Sequence, residues 1–287
     1  MKNENKVLAC VDQSRYAEFV ADYSAWAARR MEAPLEFLHI LDRHPETADT
    51  KDNSGAIGID AQETLLEQLS SEDAARAKTV REQGRIFLNG LRERAIAAGA
   101  GQVDTRQRYG DLEETLAEQE QGVRLLVLGR RGEAAGATSR DIGRNVERTI
   151  RALHKPILTV TSEFAEPQRV LFAFDGGATA RRGVEMVAAS PLLRGLPIHL
   201  LMSGKESRDG RRHLDTAKSG LDQAGFATTA TLVAGDAETV IGQAVREQGY
   251  GLLIMGAYSH SPLRTWLFGS KTSDLLRSAS IPTLLLR

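Results

Sequence analysis

The chain has 287 residues, 41% of them apolar and 26% charged, which is too apolar for a disordered polymer and long enough for two cores. Its 37 basic and 38 acidic residues leave a formal charge of −1, which excludes a global electrostatic pull toward nucleic acid or an anionic membrane surface. A single cysteine, Cys10, excludes an intrachain disulfide and a multi-cysteine metal site, and within VLACV it reads as a small buried hydrophobe.

The opening MKNENK has no signal-peptide pattern and no apolar run approaches the length of a membrane span, so the expected location is the cytoplasm. From there strand-like and helix-like patterns alternate. Strands are expected at 6–11, 35–41, 103–109, 124–128 and 157–161, with helices at 15–31, 61–98, 111–121 and 140–153. The pattern then starts again, with strands at 169–174, 197–202, 227–233, 251–255 and 283–286 and helices at 178–190, 208–224, 236–248 and 270–278.

The restart is a repeat: VLACVDQS at 7–14 matches VLFAFDGG at 170–177, LLVLGRRG at 125–132 matches LLIMGAYS at 252–259, and HKPILTV matches SIPTLLL. The first copy carries an extra stretch, 43–98, between its second and third strands. Its interleaved charges and leucines suit a long solvated helix or a helical hairpin, with a partner surface as the rival reading. SEFAEPQ breaks the apolar pattern between the copies, giving expected domains of 1–165 and 166–287. Alternation of strand and helix, with continuously apolar runs such as LLVL and LLIM, predicts two tandem α/β domains, each a doubly wound parallel sheet. The last strands of the two copies, short apolar edges that need covering, are expected to pack together as an intrachain pseudo-dimer, with a homodimer as a further option.

In such sheets ligands bind beyond the carboxyl ends of strands, at the point where strand order reverses. That singles out Asp12 and Asp175 after the first strands, Gly129 and Gly256 after the fourth, and the pairs Gly143-Arg144 and Gly269-Ser270 opening the last helices. Neither G-x-G-x-x-G after the first strand nor a P-loop occurs. In GAYSHSPLRTWLFGSKTSDLL, Gly256 and Ser259 are followed after nine residues by Gly269-Ser270, a spacing that suits either phosphate binding by exposed N–H groups or plain helix capping.

Taken with VDQS, FAFDGG, GRRGEAA and GRNVERTIRALHKPILTV, the G-x-x-G, nine or ten residues, then G-[ST] pattern resembles the ATP-binding motif of the universal stress proteins, in tandem form. The resemblance implies Rossmann-like sheets of order 3-2-1-4-5. It also implies ATP or AMP, with Mg2+ as an optional companion, lying between strands one and four. By position, Asp175 would face the adenosine, Met202 the adenine, and Gly256, Ser259, Gly269 and Ser270 the phosphates. A second site would use Asp12, Ile40, Gly129, Gly132 and Gly143.

Both copies depart from the pattern. Ser259 stands where the family has its second glycine, and Arg144 replaces the small hydroxyl residue, which places the ligand mainly in the second copy. Asp12 and Asp175 are open to three readings: base, magnesium ligand or helix cap. His39 reads as packed or capping, and His260 as either a phosphate contact or an exposed loop residue. The chain names no nucleophile and no metal cluster. The expected function is a stress-response binding module responding to an adenine nucleotide and acting on an unidentified protein partner. A slow ATPase and a nucleotide-free interaction module are the alternatives.

Overall fold

The computed structural model describes residues 5–41, 59–130, 144–256 and 279–287. β1 (Lys6–Val11), β2 (Leu35–Leu41), β3 (Val103–Tyr109), β4 (Val123–Gly129) and β5 (Ile157–Val160) alternate with α1 (Ala17–Met31), α2 (Ile59–Ala97), α3 (Leu112–Gln119) and α4 (Arg144–Ala152). β6 (Val170–Ala173), β7 (Ile198–Ser203), β8 (Thr228–Val233), β9 (Leu252–Gly256) and β10 (Thr283–Leu286) follow, with α5 (Ala178–Ala189), α6 (Arg208–Gln223) and α7 (Ala237–Glu247) between them. The expected helix at 270–278 lies outside the described residues.

The strands form one ten-stranded sheet of order β3-β2-β1-β4-β5-β10-β9-β6-β7-β8. Read from either end, each half has the order 3-2-1-4-5, and every pairing is parallel except one, β5 with β10. There Thr159 lies opposite Thr283 and Leu158 opposite Leu284, both threonines fully buried, with the Thr159 hydroxyl donating to the Thr283 carbonyl at 3.2 Å. Helices cover both faces, so the central strands are apolar on both sides. Val7, Val127, Leu158, Val170, Phe172 and Ile254 belong to one core layer, and Leu8, Leu126, Ile157, Leu171 and Leu253 to the other.

α1 carries much of the joint between the halves. Its Arg30 donates to the carbonyls of Leu192 and Arg194, while Tyr23 packs edge-on against Phe164 at 4.9 Å and exchanges hydrogen bonds with Ala165. The boundary segment SEFAEPQ is thus pinned to a helix.

The stretch left open between one helix and a hairpin is a single helix of 39 residues, about 58 Å long at 1.5 Å per residue. α2 packs through Gly84, Leu88, Leu91 and Ala95, spaced at helical intervals, and Arg94 ties it to α1 by ion pairs with Asp22 (2.6 Å) and Glu18 (2.9 Å).

At the amino ends of the strands the halves differ in chemistry. In the first, Lys6 pairs with buried Glu36 at 2.6 Å, and Arg106 approaches the same carboxylate at 2.8 Å. At the matching place in the second, His199 stacks on Tyr250, which Arg169 covers at 4.9 Å, and its ring nitrogens meet the hydroxyls of Thr229 and Thr231 at 2.7 and 2.9 Å. Burial, and then the charge of Arg169, hold the His199 pKa below the usual imidazole value of 6.5.

Two measurements follow from this packing. Leu158→Ala, at a fully buried position of the antiparallel seam, should lower the free energy of unfolding by about 2–5 kcal/mol in urea titrations. Because the folded pKa of His199 is depressed, its contribution is complete above the unfolded value and is lost as pH falls through it, the unfolded chain then binding the proton first. His199→Gln should therefore shrink the stability difference between about pH 7.5 and about pH 5.5.

Candidate functional site

In each half the first and fourth strands end side by side. Asp12 follows β1, and its Oδ1 accepts from the Ser14 amide at 3.2 Å; the Ser14 hydroxyl in turn accepts from the Tyr16 amide at 3.3 Å. Asp175 follows the end of β6, and its Oδ1 accepts from the Gly177 amide at 2.8 Å. Neither aspartate is itself a helix cap: the N-caps are Tyr16 and Gly177, with no side-chain cap bond, and each carboxylate instead closes a two-residue turn ahead of the helix.

What lines the two turns differs. In the second half Gly176 takes φ +73°, in the left-handed region, and Gly177 is the N-cap of α5 with no side chain to occupy the first-turn amides. Gly256, the last residue of β9, lies so close to α5 that a Cβ there would come within 3.3 Å of the Thr179 methyl and 3.8 Å of the Ala180 amide nitrogen. Arg181 Nη1 donates to the Gly176 carbonyl at 2.5 Å, locking the turn from the helix side. A short, nearly side-chain-free wall therefore runs from Asp175 to Thr179 and faces the end of β9. It presents the positive end of a 12-residue helix.

In the first half the same places are taken by larger groups. Four residues after the aspartate, where the second half has Thr179, stands Tyr16; Arg15 donates to its hydroxyl at 2.8 Å and lies over its ring at 5.0 Å. Gly129 ends β4, and Arg130 after it is buried, donating from its backbone to Val160 at 2.8 Å and from its guanidinium to the Ala279 carbonyl. Burial, and then the charge of Asp12, push the Cys10 thiol up to about 12, so it stays protonated and is no nucleophile.

At the strand ends the register corrects one expectation. The residues before the two aspartates, Val11 and Phe174, are level with His39 and Met202, because Val7 pairs with Leu35 and Val170 with Ile198. The counterpart of Met202 is therefore His39, and Ile40 lies one residue further along. A one-residue step turns the side chain to the opposite face of the sheet.

His39 is buried against Phe87, with Nδ1 3.0 Å from the Val11 carbonyl, as a packed histidine would be. Met202 is buried beside Gly176 and Gly210; a Cβ on Gly176 would meet its methyl at 3.5 Å and His213 Nδ1 at 3.1 Å. His213, Thr179 and Tyr16 were not singled out in the sequence. Their only signal was distance from Asp12 or Asp175, and this acquires meaning once helix and strand are packed.

Asp175, Met202 and Gly256 thus lie at the carboxyl ends of neighbouring strands in the second half, and Asp12 and Gly129 do so in the first, whereas Ile40 packs on the other face of the sheet. Ser259, Gly269 and Ser270, with Gly132, Gly143 and His260, lie outside the described residues. Among the described residues no group of three His, Cys, Asp or Glu side chains could hold a metal ion, and no helix is long and apolar enough to cross a membrane.

Gly176→Ala should cost about 1–2 kcal/mol, the penalty of a left-handed backbone for a residue with a Cβ, read as a lower urea midpoint with an unchanged circular dichroism spectrum.

Comparison with known proteins bears on both fold and family. The model of the universal stress protein family matches residues 4–161 and 202–287. Universal stress protein Slr1230 from Synechocystis sp. is 33% identical over 290 residues, covering 100% of this chain and 100% of that protein. Among solved structures, a universal stress protein from Archaeoglobus fulgidus superposes with a TM-score of 0.70 at 16% identity, over 100% of this chain and 97% of the other. A functionally unknown protein from Pseudomonas aeruginosa gives 0.64 at 15% identity, over 99% and 93%.

Proposed function

This chain belongs to the universal stress protein family, and we propose that within the stress response it works as a nucleotide-sensing binding module that takes ATP or AMP mainly in the second half. The observation that carries this reading is the side-chain-poor wall Asp175-Gly176-Gly177-Ala178-Thr179 facing Gly256, against Gln13-Ser14-Arg15-Tyr16 in the first half. A nucleotide needs room for its sugar and phosphates close to the backbone, and amides that remain free to donate. Gly177 at the N-cap leaves the first-turn amides of α5 without a competing side chain. The apolar floor at Met202 suits the flat face of a purine.

In this reading the chain divides into domains 1–165 and 166–287, with the 43–98 insert in the first. Asp175 orients the ribose side, and Ser259, Gly269 and Ser270 act on the phosphates. Mg2+ would arrive bound to the phosphates of ATP, since a magnesium ion keeps most of its ligands as phosphate and water oxygens. Occupancy then changes partner choice only to the extent that nucleotide binds one state of the tandem unit more tightly than another.

Hydrolysis, if present, is slow. The Asp175 carboxylate is already engaged by the Gly177 amide and serves the turn, which leaves it poorly placed to take a proton from water at a γ-phosphate.

Nucleotide retained through purification, or ATP added in calorimetry, tests the assignment. Gly256→Val, which drives a branched side chain into Thr179, and Gly269→Trp should each abolish binding in a folded protein, whereas Gly129→Val should leave most of it. A wild-type nucleotide content in both second-half variants would exclude the site. Steady-state ATP turnover above roughly 1 s⁻¹ that collapses in Asp175→Ala would make the chain an enzyme instead.

A further inference from the structure

The ten-stranded sheet has two ends, β3 and β8, and they are built differently. Along β3, Leu35 donates to the Gln102 carbonyl and Gly110 to that of Leu41, so the even-numbered residues bond inward and Val103, Thr105, Gln107 and Tyr109 turn their backbone groups outward. That edge is guarded. Arg92 of α2 donates to the Val103 carbonyl at 3.1 Å, and Arg106 and Arg108 sit on the strand in ion pairs with Glu36 and Glu118.

Along β8, Ile198 donates to the Ala227 carbonyl and Gly204 to that of Val233, so the odd-numbered residues bond inward and Thr228, Ala230 and Leu232 face outward. Asp222 holds the Thr228 amide, but among the described residues no side chain bonds to the outward groups of Ala230 or Leu232. The strand reads TTATLV, with no charge and no proline, and its solvent face consists of Thr229, Thr231 and Val233, the last 41% exposed.

We propose that β8 is the edge at which a second copy of this chain docks, the two β8 strands pairing antiparallel about a twofold axis at Ala230. In that arrangement the two Ala230 residues bond each other and each Leu232 N–H meets the Thr228 carbonyl of the other copy, the Thr228 amide staying with Asp222. Thr229 of each copy faces Thr231 of the other, a favourable cross-strand pair. A second copy fits this edge because the strand's neutral sequence, paired with itself, opposes no like charges, and it offers no countercharge to a charged peptide. The chain already closes two of its own edges in this manner at β5 and β10. An isologous twofold contact also terminates, so it yields a dimer and no fibre.

Analytical ultracentrifugation of the full chain over a concentration series tests this, with the expected limit at twice the 31.3 kDa chain mass. Ala230→Pro removes an outward N–H without touching the bonds to β7 and should give monomer. The double variant Thr229→Lys/Thr231→Lys should also be monomeric, and mixing it with Thr229→Glu/Thr231→Glu should restore the dimer as a heterodimer. That recovery would show both variants to be folded. A wild-type chain that stays at 31.3 kDa up to millimolar concentration, or a dimer that survives both Ala230→Pro and the lysine pair, overturns the proposal.

Discussion

The antiparallel pairing of β5 with β10 is the interaction on which the rest of the molecule depends. A doubly wound half-sheet of order 3-2-1-4-5 leaves its fifth strand as an edge, four residues long and apolar on both faces. Such an edge cannot stay in water without exposing unpaired backbone groups and a hydrophobic strip. Joining the two edges satisfies both, buries Thr159 and Thr283 at the centre, and lets one core layer run without interruption from Val7 through Leu158 and Leu284 to Val170.

That seam also fixes where the candidate sites lie. It places the fourth strands, β4 and β9, on either side of the joint, so the two candidate sites flank the middle of the sheet. Cross-links run over it: Arg130, next to Gly129, reaches the Ala279 carbonyl, and Arg287 reaches the carbonyls of Leu153 and Arg151. The two halves have diverged around this common frame. One has buried ions where the other has a histidine between threonines, and one has Tyr16 where the other has Thr179.

Much of the fold was legible because its signals are local. Parallel strands buried on both faces must be continuously apolar, so LLVL and LLIM stand out, and duplication showed the same punctuation twice. Tertiary packing was needed where two segments meet. Whether 61–98 is one helix or two depended on Gly84, Leu88, Leu91 and Ala95 finding a single continuous surface. The counterpart of Met202 depended on strand register, which reads His39 where spacing along the chain suggested Ile40.

By itself, then, the amino-acid sequence determined the tandem α/β architecture, the family, the identity of the two aspartates that end the first strands, and which strands needed a partner. Those follow from periodicity and from residues whose meaning is carried within a few positions. Only the tertiary structure decided that the seam is antiparallel, that Gly256 abuts Thr179 while Tyr16 and Arg15 stack in the other half, and that β3 is guarded by Arg92 while β8 is left neutral. The antiparallel seam and the approach of Gly256 to Thr179 join groups far apart in the chain, set by how strands and helices settle on the sheet, and neither composition nor spacing records that.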